Sequence, residues 1–453
     1  MENLVRKVDS KELLLLVGAL IYASAAAVYH PLILLALLGL VYFVVNRKLL
    51  YLFTVPVSVL YIFYLPVGNS MLNISFILVL SIAILSLLLS FKSHFSQKIS
   101  WIYIVYLLGL STGILYAPDR ELGFKLMLIN ILGFLVILVG QRIAAKSSSI
   151  KLLESLSLIG LPIGILNIIF LLMPNLEISF LQGSISELFI ERGTVNALFD
   201  AGKNNILDPS KAGTFFVNTN VAAVFFGILF WITLAVRIQS NNKAHNITLF
   251  IYLGALLATN SRAGLIALLF SFFFLWVLNS NKKKAWIRSV ILLLPIIVIG
   301  ILIMNSGYFV NIVDRLSLSA LQNDPRWMIW NFALSNTPYI QGLGYGGWEQ
   351  ISFRMGPYLG SFPPHNIYLI AWTWSGIVGV FSLCLLLFGV LFSSTKKYKQ
   401  TKNPLYLALI GSYIIVIVQG MFDNYFLHDY RILLILFLIT GSILYKPIKK
   451  EGI

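Results

Sequence analysis

From residue 13 to residue 445 the chain is a succession of apolar runs, such as FILVLSIAILSLLLSF at 76–91, broken by short polar loops. A helix crosses a hydrocarbon core of about 30 Å with about 20 apolar residues. Repetition at that length constrains the fold more than any motif could. Spans are expected at roughly 13–29, 31–45, 49–66, 71–90, 101–117, 124–140, 152–173, 217–236, 247–259, 264–279, 287–304, 366–392, 405–421 and 430–445. That is about fourteen, or as few as twelve where short neighbours merge. Only 11% of the 453 residues are charged, less than half the share of a soluble domain. No ten-residue alternation of a membrane barrel occurs, so helices are the expected spanning form. The expected fold is an all-α polytopic transmembrane bundle whose long extracytoplasmic loop carries short amphipathic helices.

Arg6, Lys7 and Lys11 precede the first run, and Ala23-Ser24-Ala25 resembles a signal-peptidase site. Apolar sequence resumes at once after His30-Pro31, so an uncleaved first span is expected. The single cysteine, Cys384, lies in an apolar run and says nothing about redox compartment.

Charge alternates from loop to loop. One set of loops, with both termini, holds 23 basic and 5 acidic residues, among them Lys282, Lys283, Lys284, Lys396 and Lys397. The other set holds 10 basic and 12 acidic residues. The net charge of +16 is therefore an orientation signal and no nucleic-acid footprint. Both termini are expected in the cytoplasm. The outer side then receives the two long loops, 174–216 and 305–365. A thiol at 345 should be accessible from outside, and thiols at 283 and 397 shielded. The implied organisation is N-terminal spans over 1–173, a first long loop over 174–216, spans over 217–304, a large loop over 305–365 and C-terminal spans over 366–453.

In the large loop, Asp324 is expected to cap a helix with Pro325 at its first position. Trp327, Trp330 and Leu334 follow at helical spacing, which suits a helix lying on the membrane surface. GLGYGG at 342–347 reads as a turn-rich segment, because no βαβ context surrounds it. Phosphate-loop, zinc-protease, nucleophile-elbow and paired-cysteine motifs are missing, and the outer carboxylates form no DxD pair. Neither a resident metal nor a cofactor is expected.

The outer inventory is Arg120, Arg192, Arg262, Arg315, Arg326, Arg354 and Arg431, with His365 and His428. Arginine grips phosphate through a bidentate fork, and histidine is the usual base near neutral pH. Each also has a plainer reading. Arg262 and Arg431 sit where an anchor snorkels to headgroups. Arg326 can pair with Asp324, His365 can be a hydrogen-bonded structural histidine, and His428 beside Asp429 a surface residue.

Four pieces in order add specificity. They are GTFFVNTNVAA (213–223), TNSRAGLIAL (259–268), DPRWMIWNFALSNTPYIQGLGYGG (324–347) and PHNIYLIAWTWSGIVGV (364–380). Together they resemble the O-antigen ligase and polymerase superfamily, membrane glycosyltransferases of surface polysaccharide assembly. Lys211 departs from the arginine of that pattern, and fourteen spans exceed the twelve common among the ligases. The resemblance implies metal-independent, inverting transfer of a saccharide from undecaprenyl diphosphate to a saccharide or lipid-linked acceptor. It implies diphosphate binding by Arg262 and Arg326 and a base at His365, with Asn366, Arg431 and Asn220 in support. It places the reaction on the outer face of the plasma (inner) membrane, among membrane lipids. A polymerase is expected, from the span count, ahead of a ligase acting on lipid A core. A flippase of lipid-linked sugars is the rival from another class. It would place ionisable groups in mid-span, whereas here they sit at span ends and in loops.

Overall fold

The computed structural model describes residues 48–67, 70–95, 98–199, 210–279, 324–356, 359–428 and 430–445. The expected spans at 13–29, 31–45 and 287–304, with Arg315 and Asp429, lie outside the described residues.

The first helices are α1 (Lys48–Leu60), α2 (Ile74–Phe95), α3 (Lys98–Leu115) and α4 (Arg120–Lys146). Next come α5 (Ser149–Ile159), α6 (Leu161–Leu172), α7 (Pro174–Gln182), α8 (Arg192–Phe199), α9 (Thr219–Ser240), α10 (His245–Ala258) and α11 (Arg262–Asn279). The second long loop adds α12 (Arg326–Asn336) and α13 (Gly347–Ser352), and α14 (Ile367–Thr401), α15 (Leu405–Gln419), α16 (Tyr425–His428) and α17 (Tyr430–Leu444) follow. Among the described residues, six helical segments are long and apolar enough to cross a membrane. Shorter apolar helices, α10, α15 and α17 among them, pack beside these. The protein is a multi-pass membrane protein.

Among the described residues, one local departure from the all-helical expectation occurs. The run expected as a span over 49–66 stops at Leu60, and Tyr64–Val67 pairs antiparallel with Ser70–Asn73. Apolar content alone does not distinguish a short strand from a helix end.

α17 packs along α4, α14 along α3, and α9 against both α10 and α15. Small residues permit the closest approach. A Cβ on Gly140 would meet the Leu438 carbonyl oxygen, and one on Gly441 the Ile137 carbonyl oxygen. In lipid, helices gain mainly by such backbone proximity, because their apolar faces are as well solvated by acyl chains as by one another.

Two groups of contacts mark the two ends of the bundle. At one end Lys397 Nζ donates to the Leu444 carbonyl (3.3 Å) and Ser149 Oγ to the Ser442 carbonyl (2.8 Å). These are the ends with basic loops. At the other end lie the starts of α9, α11 and α14 and the end of α15, joined as described below.

α14 is broken at Ser375-Gly376, where Gly376 has φ 58° and ψ −149°. The break would strand backbone groups, a serious cost inside a membrane. The 339–343 segment supplies partners: Leu343 N donates to the Thr373 carbonyl (2.6 Å), and Ile377 N to the Tyr339 carbonyl (2.8 Å). Gly342, Gly344 and Gly346 all have positive φ, so the turn-rich reading holds. Tyr345 nevertheless points inward. It is fully buried, packs at a tilt against Trp374 (4.7 Å between ring centroids) and donates to the Leu110 carbonyl (3.2 Å). The expectation of an accessible thiol at 345 is thereby corrected; the nearby Tyr339 is 74% exposed.

Candidate functional site

Several helix ends converge at the end of the bundle away from the basic loops. Asn218 caps α9 through Asn220 N (2.9 Å), and Ser261 caps α11 through Gly264 N (3.2 Å). Asn366 caps α14 by accepting from Tyr368 N and Leu369 N (2.9 and 3.1 Å). Such caps hold short polar side chains at fixed places and aim helix N-termini, with their partial positive charge, at one region.

Asn220 ties three elements together. Its Nδ2 donates to Asp423 Oδ2 (2.9 Å), its Oδ1 accepts from Ser261 Oγ (2.7 Å), and its carbonyl accepts from Gln419 Nε2 (2.7 Å). Asp423 is 2% exposed and also accepts from Asn424 N (2.7 Å). Asn366 Nδ2 donates to the Met421 carbonyl (3.0 Å), and Ile367 N to the Gly420 carbonyl (2.8 Å). The 419–424 turn thus joins α9, α11 and α14.

His365 stands beside this turn, immediately before α14. Burial lowers its pKa below the ordinary histidine value. The Asp423 carboxylate opposes that shift, the Arg326 guanidinium adds to it, and Asp324 opposes it. All three charges are therefore within electrostatic reach of the imidazole, and its neutral form is favoured near pH 7.

α12 brings Arg326 to the site. Asp324 Oδ1 accepts from Arg326 N (2.9 Å), so it caps the helix as expected. Trp330 Nε1 donates to the Pro364 carbonyl (2.7 Å), which pins α12 to the segment carrying His365. The buried face of α12 is Ile329 and Ala333, while Trp327, Met328 and Leu334 are exposed. The expected Trp327–Leu334 stripe is therefore the outward face.

Backbone strain gathers here. Thr214, Val217, Asn260 and His365 all have positive φ, at 48°, 61°, 50° and 47°. For β-branched Thr214 and Val217 this is a rare conformation. Strain of this kind persists where the surroundings over-determine it, commonly at functional sites.

Of the sequence-derived residues, Asn220, His365 and Asn366 meet around the Asp423 turn, and Arg326 joins them. Arg262 begins α11 directly after Ser261, which binds Asn220. Arg431 is drawn inward. Its Nη1 donates to the Phe215 carbonyl (2.8 Å), and its guanidinium lies 4.3 Å from the Phe216 ring centroid. Arg120 and Arg354 are exposed. Gln419, Ser261 and the bridging role of Asp423 were not foreseen. Asp423 stands in a final loop outside the recognisable pieces, and only the folded chain brings it to Asn220.

The fold defines a polytopic membrane protein with a polar, partly buried site at one end of its bundle. Residues 247–384 match the O-antigen ligase family model. This match, running from α10 into α14, supports the O-antigen ligase and polymerase superfamily. It contains Arg262, Arg326, His365 and Asn366, whereas Asn220, Asp423 and Arg431 lie outside it. No curated protein matches the chain.

Proposed function

We propose that the chain is a glycosyltransferase of the outer face of the plasma (inner) membrane. It moves saccharide from undecaprenyl diphosphate to a sugar hydroxyl and so lengthens a surface polysaccharide. The observation that carries this reading is a histidine whose neutral form burial favours, within electrostatic reach of the Asp423 carboxylate and the Arg326 guanidinium, on a segment pinned to the helix that carries Arg326.

Arg262 and Arg326 hold the donor diphosphate. The acceptor hydroxyl passes its proton to His365 as its oxygen attacks the anomeric carbon from the face opposite the leaving group. The bond between that carbon and the phosphate oxygen breaks, its electron pair leaves with polyprenyl diphosphate, and the anomeric configuration inverts. The arginines oppose the charge that grows on the leaving group, a contribution of about 3 to 4 kcal/mol where one preorganised donor has been removed elsewhere. Asp423 stabilises the imidazolium formed at His365. Asn366, as cap of α14, and Asn220, as anchor of Asp423, fix the two partners. No metal takes part in this scheme.

Polymerisation is preferred on the expected span count. The family description, O-antigen ligase, favours a second outcome in which a finished chain is attached to lipid A core. A reconstituted reaction with defined lipid-linked donor and acceptor separates them. A ladder of lengthening lipid-linked products supports the polymerase; single attachment to a core acceptor supports the ligase. Translocation without transfer would support the flippase.

A further inference from the structure

A cavity of about 300 Å³ adjoins the site and shares Asp423 with it. Its walls come from the hairpin (Tyr64), the first long loop (Phe189 to Thr194), the start of α9 and the turn around Asp423, with Tyr430 and Arg431. The volume is at the lower end of small-molecule sites, fit for a mono- or disaccharide. Asp423 is common to both: it lines the cavity and acts on His365.

The lining has the chemistry of a sugar and not of a diphosphate. Phe189 and Phe215, stacked on each other at 4.5 Å, line the cavity with apolar ring surface for sugar C–H groups. Tyr430 accepts from Asn73 Nδ2 and shares a hydrogen bond with Tyr64 (3.3 Å). Glu191, Thr194, Asn218 and Asn424 add hydroxyl-binding groups. Arg431 is the cation among these lining residues, set against two carboxylates, Glu191 and Asp423. Its guanidinium is already engaged by the Phe215 carbonyl and the Phe216 ring. An anionic ligand entering here meets net repulsion.

We propose that this cavity seats a sugar unit of the acceptor next to the one that reacts at His365, and that its carboxylates select uncharged or amino sugars over uronic acids. The part played by His365 rests on the glycosyltransfer reading; binding of the sugar does not.

The test uses purified full-length protein in detergent and saturation-transfer NMR with three probes: methyl glucoside, methyl N-acetylglucosaminide and methyl glucuronide. The first two should bind and the glucuronide should not. Thr194→Trp, which fills the mouth, should abolish binding and raise the acceptor KM at least tenfold while the donor KM stays within twofold. Glu191→Arg, an exposed change that leaves the core untouched, should admit the glucuronide. Equal binding of glucuronide by the wild type, or binding indifferent to Thr194→Trp, overturns the proposal. So does a selectivity unaltered in Glu191→Arg. If the sugars bind as expected in a protein that performs no transfer, the transfer reading fails and the cavity assignment stands.

Discussion

Asn220→Ala removes the joint between α9, α11 and the Asp423 turn. The bond from Asn220 Nδ2 to Asp423 (2.9 Å) is charge-assisted, a class that contributes about 1.5 to 3 kcal/mol. The bond accepted from Ser261 (2.7 Å) is neutral and contributes about 0.5 to 1.5 kcal/mol. Asn220 is only half-buried, so water replaces part of both. A net loss of about 2 kcal/mol is expected, at the low end of the combined range. Asp423 keeps its bond from Asn424 N but loses the anchor that faces it toward His365, and turnover should fall at least tenfold, about 1.4 kcal/mol of barrier. Stability would be read by denaturation in mixed micelles, and turnover with lipid-linked donor. Ser261→Ala alone should cost about 1 kcal/mol, including its cap. Because the two side chains touch, the double variant should lose less than the sum, with a coupling of at least about 0.5 kcal/mol. Strict additivity, or an Asn220→Ala protein of wild-type stability and turnover, would refute the bridge.

The remaining predictions concern charge and orientation. A base must be neutral to act, so kcat/KM should rise with pH through an inflection below the ordinary histidine value of about 6.5. Asp423→Asn and Asp324→Asn each remove a charge that raises this pKa, and each should move the inflection down. Opposite movements in a pH–rate titration would contradict the assignment. Arg262→Ala and Arg326→Ala should abolish transfer without preventing insertion, and Arg→Lys should rescue only partly, since lysine lacks the fork. Full transfer by Arg262→Ala would return that residue to a headgroup anchor. In intact cells a membrane-impermeant thiol reagent should label Tyr339→Cys and spare Lys283→Cys and Lys397→Cys. Labelling at 283 would invert the topology.

Where the sequence sufficed, a single local signal decided the structure. The apolar runs at 124–140 and 217–236 became α4 and α9 because length and hydropathy settle a span. Asp324 announced α12, since a cap and a proline define a helix start locally. The site was half legible. His365, Asn366, Arg262 and Arg326 stand in the ordered pieces, and the folded chain brings His365, Asn366 and Arg326 together. What sequence could not show depends on contacts made across the fold. Gly376 looks like any helical glycine until the 339–343 segment is seen filling the break. Arg431 reads as an interface anchor, yet Phe216 and the Phe215 carbonyl turn it inward. Tyr345 sits in a polar-looking loop and is buried.

The central claim is that His365 is the base. Its φ of 47° is a conformation glycine adopts freely, so His365→Gly should fold and leave space for added imidazole. The decisive measurement is transfer from undecaprenyl-diphosphate donor by reconstituted wild type, His365→Gln and His365→Gly between about pH 6 and 8, with donor binding followed in parallel. Both variants should lose about two to four orders of magnitude in turnover while donor affinity, carried by the arginines, is kept, and imidazole should restore part of the glycine variant's activity. Wild-type turnover by His365→Gln across that range would contradict the account, because glutamine keeps a hydrogen bond but cannot take the proton.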